Sequence, residues 1–153
     1  MEQELHRVLQ IIRDDLQDVG GGLQRGATEA EIEQVQNDTQ RELGNPLPSS
    51  YTAFLKITNG LSWAGVAIFG TSASPIVGFP DRLISEFVEA NTGFRISTEL
   101  FKNYLVFGSD GDSLLTCDIR NGQYEVFTVF MAPLGRFDTF EEMICHVLRQ
   151  QMG

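Results

Sequence analysis

The stretch VFGSDGDSLLTCDIRNGQYEVF, residues 106–127, contains three β-rich runs separated by two turn sequences. Its second turn contains Arg120-Asn121-Gly122, and Asn-Gly is a strong hairpin signal. The first turn, GSDGD, combines glycines that tolerate positive φ with aspartates that bond to nearby amides. The stretch therefore predicts a meander of β-strands in the second half of the chain.

The carboxylates of the GSDGD turn, Asp110 and Asp112, also allow a chemical interpretation. They could chelate a hard cation, or act as a general acid and base. A calcium loop needs further oxygen ligands at alternating positions and a closing glutamate, and neither is present. We therefore favour a turn that links two strands, with the metal and acid–base interpretations as weaker alternatives.

Helical patterns precede and follow this β-rich region. Residues 1–19 place apolar side chains at helical spacing, and glycines in 20–26 form a flexible linker. Thr28 and Glu31 predict a capping box at the start of a second helix. Residues 48–58 predict a short helix that buries Tyr51 and Phe54. Residues 61–80 contain brief apolar runs between Gly, Ser and Pro, which favour short strands.

Two further helices are predicted in the second half of the chain. The segment DRLISEFVEAN, residues 81–91, has helical spacing that leaves Arg82, Glu86 and Glu89 in solvent. The closing helix begins at Asp138, with Glu141 three residues later as a capping pattern. Helices first, a sheet next and a helix last predict an α+β fold. We expect one domain, residues 1–153, in which helices flank a mostly antiparallel or mixed sheet.

Composition restricts the class of partner. Eleven Lys and Arg against twenty-one Asp and Glu give a formal charge of −10, which repels phosphate backbones and anionic membranes. A basic protein is therefore a better partner than nucleic acid or a membrane. The cysteines Cys117 and Cys145 match no redox or metal spacing. With no export signal or membrane span expected in the sequence, we predict a cytoplasmic protein.

Each candidate catalytic motif in the sequence lacks a residue that it requires. The segment GGLQRGAT resembles a phosphate-binding loop but has Ala27 where the lysine belongs, and Arg25 interrupts a dinucleotide fingerprint. Cys145 and His146 are adjacent on a helix, so their side chains diverge by about 100°. No serine lies in a nucleophile elbow. We therefore predict no catalytic residue, no cofactor and no bound metal.

The order of motifs resembles the SUKH superfamily. The matching pieces come in sequence order: Gly26-Ala27, the Glu-rich residues 29–33, Leu47-Pro48, Tyr51 with Phe54-Leu55, and Asn59-Gly60. The stretch 106–127 resembles the turn and strand hairpin of the superfamily, and residues 137–148 resemble its closing Phe and terminal helix. The bacterial YrhA-like branch is the most similar.

This resemblance implies a non-catalytic α+β domain that serves in bacteria as an immunity protein against a cognate toxin. Many such toxins are nucleases or otherwise act on nucleic acid, and a eukaryotic branch regulates cell-wall synthesis and signalling. The superfamily pattern defines no contact residues. From predicted exposure and charge, we expect the toxin to contact Trp63, Asp81, Glu86, Glu89, Asp110 and Asp112.

Two other functions remain open from the sequence. The chain could be a regulatory or scaffold module that binds another protein, or a small metal-dependent hydrolase that uses Asp110 and Asp112. For the oligomeric state we expect a monomer or a homodimer, since the apolar stripe of the first helix could pack on its own domain or on a second chain.

Overall fold

The computed structural model describes residues 2–152, with the side chain of Glu2 left aside. The helices are α1 (Glu2–Gln17), α2 (Glu29–Leu43), α3 (Ser49–Ile57), α4 (Phe87–Ser97) and α5 (Phe140–Gln150), and a 3₁₀ helix spans Glu99–Asn103. The strands are β1 (Leu61–Trp63), β2 (Val66–Ile68), β3 (Ser74–Ile76), β4 (Phe79–Ile84), β5 (Tyr104–Asp110), β6 (Ser113–Asp118), β7 (Tyr124–Thr128) and β8 (Pro133–Phe137).

Six strands form one antiparallel sheet in the order β1-β2-β5-β6-β7-β8. Strands β3 and β4 form a separate antiparallel hairpin. The predicted α+β fold with an N-terminal and a C-terminal helix is confirmed. The turns predicted between β5 and β6 and between β6 and β7 are present, with Gly111 and Gly122 at φ +57° and +74°.

Two apolar clusters lie on opposite faces of the sheet, because successive strand residues point to opposite sides. The larger cluster contains Leu105 and Leu115 and is covered by α1, α3 and α5. The smaller cluster contains Val106, Leu114 and Phe127, with Phe94 of α4 packed against it. Each strand of the meander therefore contributes to both cores.

The N-terminal half follows the predicted pattern closely. Thr28 accepts a hydrogen bond from the backbone N–H of Glu31 (3.1 Å), and the Glu31 carboxylate accepts one from the Thr28 N–H (2.9 Å). This confirms the capping box. Arg25 adds a bidentate pair to the same carboxylate, and its hydrogen bonds lower the pKa of Glu31 to about 2.

The glycine-rich connection between α1 and α2 is bonded to the rest of the fold. The Gln24 side-chain amide donates to the Pro75 carbonyl and accepts from the Val77 N–H, both at 2.9 Å. Gly26 runs so close to α3 that an added Cβ would lie 2.0 Å from the Lys56 carbonyl oxygen. Only glycine permits this approach of two backbones.

The predicted helix over residues 81–91 is wrong at its start. Residues 79–84 form strand β4, so Asp81 lies on a strand and not on the middle helix, and Leu83 is 61 % exposed. Gly78, at φ +84°, turns the chain so that β4 pairs with β3. Glu86 then caps α4 by accepting from the Glu89 N–H. The apolar spacing of residues 81–84 also fits a helix, but pairing with β3 makes this segment a strand.

Two helix boundaries and one strand also differ from the predictions. Helix α1 ends at Gln17 rather than residue 19, which leaves Val19 65 % exposed. The cap of α5 is Thr139, which accepts from the Glu142 N–H, one residue later than the predicted Asp138 and Glu141. Strand β8 was not predicted, because its sequence PLGRF has Pro and Gly and only one β-favouring residue.

The side chain of a buried asparagine bonds strand β5 at the point where strand β2 no longer pairs with it. Strand β2 pairs with β5 only over Gly108–Asp110, so residues before Phe107 have no strand on that side. The Asn91 side chain, 1 % exposed, fills this place: its Nδ2 donates to the Val106 carbonyl (2.8 Å) and its Oδ1 accepts from the Val106 N–H (2.7 Å). One side-chain amide thus satisfies two buried backbone groups.

We predict that Asn91→Leu lowers the free energy of unfolding by about 2–4 kcal/mol, because it leaves the N–H and C=O of Val106 buried and unpaired. Thr92→Ala is the matched control on the same helix, since Thr92 is exposed and only bonds its own helix. It should cost about 0.5 kcal/mol or less. Urea denaturation of both variants measures the difference, and equal destabilisation would contradict the role of Asn91.

Candidate functional site

A groove of about 410 Å³ opens at the β1 edge of the sheet. Its walls are the end of α1, the β1–β2 hairpin and the β3–β4 hairpin. Its lining combines apolar side chains, including Val19, Ile76 and Phe79, with polar surface in similar proportion, and Asp15 and Arg82 are its charged groups. Concave surfaces that combine apolar side chains with polar groups are the usual places where proteins bind ligands.

Trp63 lines this groove, and a hydrogen bond to helix α1 holds its side chain. It is only 9 % exposed, and its indole Nε1–H donates to Oδ2 of Asp15 at 2.7 Å. The two-residue turn that follows, Ala64-Gly65, has φ of +50° and +85° at its two positions, as a type I′ hairpin requires. Trp63 is therefore held both by α1 and by its hairpin, and presents one edge to the groove.

The predicted residues Asp110 and Asp112 lie next to the groove. The Gly111 N–H donates to the Gly65 carbonyl (3.3 Å), which joins the β5–β6 turn to the tip of the β1–β2 hairpin. Asp110 pairs with Val66 across the sheet, and its carboxylate accepts from the Gln151 side chain (3.2 Å). Asp112 is exposed. Trp63, Asp110 and Asp112 thus share one end of the sheet.

The other predicted contact residues line a different surface. Glu86 and Glu89 border a groove of about 350 Å³ together with Leu83 and Gly93. Asp81 is exposed on β4 and borders neither groove. Within residues 2–152, no shared groove or hydrogen bond joins these acids to Trp63 or Asp110. The six predicted residues therefore divide between two surfaces.

Sequence reasoning missed the acids at the end of α1. Asp14 and Asp15 lie in its last turn, which has no basic residue, and Asp18 follows it. Carboxylates at a helix C-terminus oppose the helix dipole, at a cost of about 0.3–1 kcal/mol each. These acids therefore reduce the stability of their own helix. Residues that reduce local stability concentrate at functional positions, so this pattern is the sequence signal that could have identified Asp15 as part of a site.

The thiols and the acids show what chemistry the chain supports. Cys117 and Cys145 are buried and unpaired, and burial raises the pKa of each thiol to about 11. Both thiols are therefore protonated near neutral pH, and neither is an activated nucleophile.

Across residues 2–152, no group of three or more His, Cys, Asp or Glu side chains is arranged to hold a metal ion. Within the same range, every helix falls short of the length and apolarity of a membrane span.

The fold and the groove define an α+β domain with a six-stranded antiparallel sheet and a concave surface at one edge. The sequence profile of the SMI1/KNR4 family (SUKH-1) matches residues 26–146, which is most of the chain. The protein therefore belongs to this family, and the resemblance to the SUKH superfamily is confirmed. A search of curated proteins found no match.

We predict that Asp15→Ala exposes the Trp63 indole N–H to faster hydrogen exchange, because it removes the only acceptor that the structure gives this group. Asp14→Ala is the matched control, since Asp14 contacts Gln10 instead. The chain has one tryptophan, so a single indole signal in a ¹⁵N spectrum reports on this bond. Equal exchange rates in the two variants would show that the hydrogen bond does not protect the indole.

We also predict slow alkylation of the native thiols. At pH 8, iodoacetamide should modify Cys117 and Cys145 far more slowly in the folded protein than in urea, since a thiol with a pKa of about 11 has little thiolate at that pH. The native rate should rise as pH approaches 11. Mass spectrometry at intervals counts the modified thiols, and equally rapid modification of folded and unfolded protein would contradict this assignment.

Proposed function

We propose that the protein is an immunity protein that binds a cognate toxin and neutralises it by occlusion. Family membership supports this proposal, because the SMI1/KNR4 profile covers the sheet, helices α2 to α4 and the first part of α5. Within the described residues, none of the six predicted contact residues forms a salt bridge with a basic side chain of its own fold. Asp81, Glu89 and Asp112 are exposed and available to a basic partner, whereas the carboxylate of Asp110 also accepts from Gln151 and that of Glu86 caps α4.

The observation that carries the acidic interface is the position of Asp110 and Asp112. A tight turn, held to the neighbouring hairpin by the Gly111 N–H, places both residues beside the groove, with Asp112 exposed and the Asp110 carboxylate bonded to Gln151. Acids on a rigid turn attract a basic surface at long range and accelerate association, by about 10–10³-fold at low salt. An enzyme that acts on nucleic acid has such a basic surface, so a nuclease toxin is the partner we propose.

Several finer features belong to the same proposal. We place the protein in the YrhA-like branch, with the whole chain as one domain that acts in the cytoplasm without catalysis or a cofactor. Helix α1 precedes the matched region, and its buried face packs against α5 through the main core. In this proposal α1 is part of the binding domain rather than a separate arm.

A regulatory or scaffold function is the alternative, in which the same acidic surface binds a protein other than a toxin. Identification of the bound chains in a pull-down from the native lysate separates the two. A stoichiometric toxin domain, encoded by a neighbouring gene, favours immunity, whereas envelope or regulatory proteins favour the scaffold. A metal-dependent hydrolase using Asp110 and Asp112 would require calorimetric binding of Mg²⁺, Mn²⁺ or Ca²⁺.

We predict that the double variant Asp110→Lys/Asp112→Lys binds the recovered toxin about 10–100-fold more weakly, with a flatter dependence of affinity on salt, because two attractive charges become repulsive. The matched control is Glu33→Lys/Asp138→Lys, which changes the net charge equally at exposed positions elsewhere. Calorimetry at two salt concentrations measures both.

The control separates a local contact from an effect of net charge. If both double variants weaken binding equally, the toxin responds to total charge and this turn is not part of the interface. If neither changes affinity, the acidic interface is wrong, although the toxin can still bind elsewhere.

A further inference from the structure

We infer that the groove at the β1 edge, defined by α1, the β1–β2 hairpin and the β3–β4 hairpin, receives a loop of the partner protein that carries an arginine or lysine beside an aliphatic side chain. This inference rests on the proposed function, since it names the feature of the toxin that the immunity protein would bind. It adds a binding pocket and a chemical preference to an interface otherwise defined only by surface acids.

The apolar half of the preference comes from the walls of the groove. Val19 is 65 % exposed on one side, and Ile76 and Phe79 of the β3–β4 hairpin line the other. Trp63, 9 % exposed, also lines the groove. An aliphatic side chain that enters this space would remove apolar surface of Val19 and Phe79 from water, whereas Ile76 and Trp63 are already mostly buried.

The basic half of the preference comes from the α1 side of the groove. Oδ2 of Asp15 is occupied by the Trp63 indole, whereas its Oδ1 has no hydrogen-bond partner in the described part of the chain. Asp18, one residue before Val19, is exposed, and its carboxylate has no hydrogen-bond partner in the same residues. A guanidinium or ammonium group could replace water at these exposed carboxylates, and it would offset the unfavourable position of these acids at the end of a helix.

Two features set the direction in which the loop would lie. Arg82 stands on the β4 side of the groove, where its guanidinium is 3.5 Å from the Ser62 hydroxyl. It repels a second base at that wall, so the basic side chain must lie toward α1. Beyond the hairpin tip, the adjoining turn of Asp110 and Asp112 continues the negative surface. The groove therefore adjoins the proposed interface, and its α1 wall, which holds Asp15, has the same sign of charge.

A test with defined peptides uses the folded protein alone. The ¹⁵N indole signal of Trp63 is followed during titration with acetyl-Leu-Arg-Leu-amide and, separately, with acetyl-Leu-Glu-Leu-amide. We expect a saturable shift at millimolar concentration with the arginine peptide, and a shift at least several-fold smaller with the glutamate peptide. No shift with either peptide, an equal shift with both, or a larger shift with the glutamate peptide would overturn the inference.

Matched variants locate the binding. Val19→Arg should abolish the shift, whereas Leu134→Arg should leave it unchanged, because Leu134 is similarly exposed (61 %) but lies on β8 at the opposite edge of the sheet. Neither side chain is buried, so both variants should fold, and their unfolding curves check this. If both variants respond alike, the peptide does not bind in the groove.

The same two variants then distinguish the inference from the proposed function. If the toxin binds both variants with wild-type affinity, the groove is not its docking site, whereas the immunity proposal stands. If no toxin is recovered but the arginine peptide still shifts Trp63, the immunity proposal fails and the groove remains a site for basic segments. A 10-fold or greater loss of toxin affinity in Val19→Arg alone supports both.

Discussion

The packing of Tyr51 is the constraint on which the rest of the fold depends. Its ring, fully buried on α3, lies 4.9–5.4 Å from the rings of Phe87 in α4, Phe107 in β5 and Phe140 in α5. Its hydroxyl donates to the Phe69 carbonyl (2.5 Å) at the point where the chain leaves β2. One side chain therefore connects three helices and the sheet. The Phe69 carbonyl gives its buried hydroxyl a hydrogen-bond partner. Burial accordingly raises the pKa of this phenol well above its ordinary value.

That arrangement determines where the sheet ends and where a surface can form. Since the chain turns away after Phe69, β2 covers only part of β5, and Asn91 has to pair with Val106 in place of a strand. The diverted chain forms the β3–β4 hairpin, which returns to the fold through backbone bonds between Gly70 and both Ser85 and Phe87. The same diversion places Ile76 and Phe79 opposite Val19. The groove is thus a consequence of the way the core closes.

Local signals in the sequence predicted the parts of the fold that short-range chemistry determines. The Thr28 cap, the Asn121-Gly122 hairpin and the Gly111 turn each depend on a few adjacent residues, and all are present. Strand β8 and the β4 segment failed for the opposite reason. Their sequences have weak or ambiguous preferences, and pairing with the strands that precede them, β7 and β3, decides their conformation. A strand that forms only because a neighbour pairs with it leaves little signal in its own residues.

The candidate site shows the same division between local and distant information. Asp110 and Asp112 could be placed on a turn because Gly and Asp define it locally, whereas the contact between Asp15 and Trp63 joins residues 48 positions apart. The acids of α1 can nevertheless be recognised in the sequence, because carboxylates at a helix C-terminus reduce the stability of the helix. Asp15 weakens its own helix and at the same time holds the distant Trp63 at the groove. On this argument we propose Asp15, rather than Glu86 or Glu89 on the other surface, for the interface with the partner.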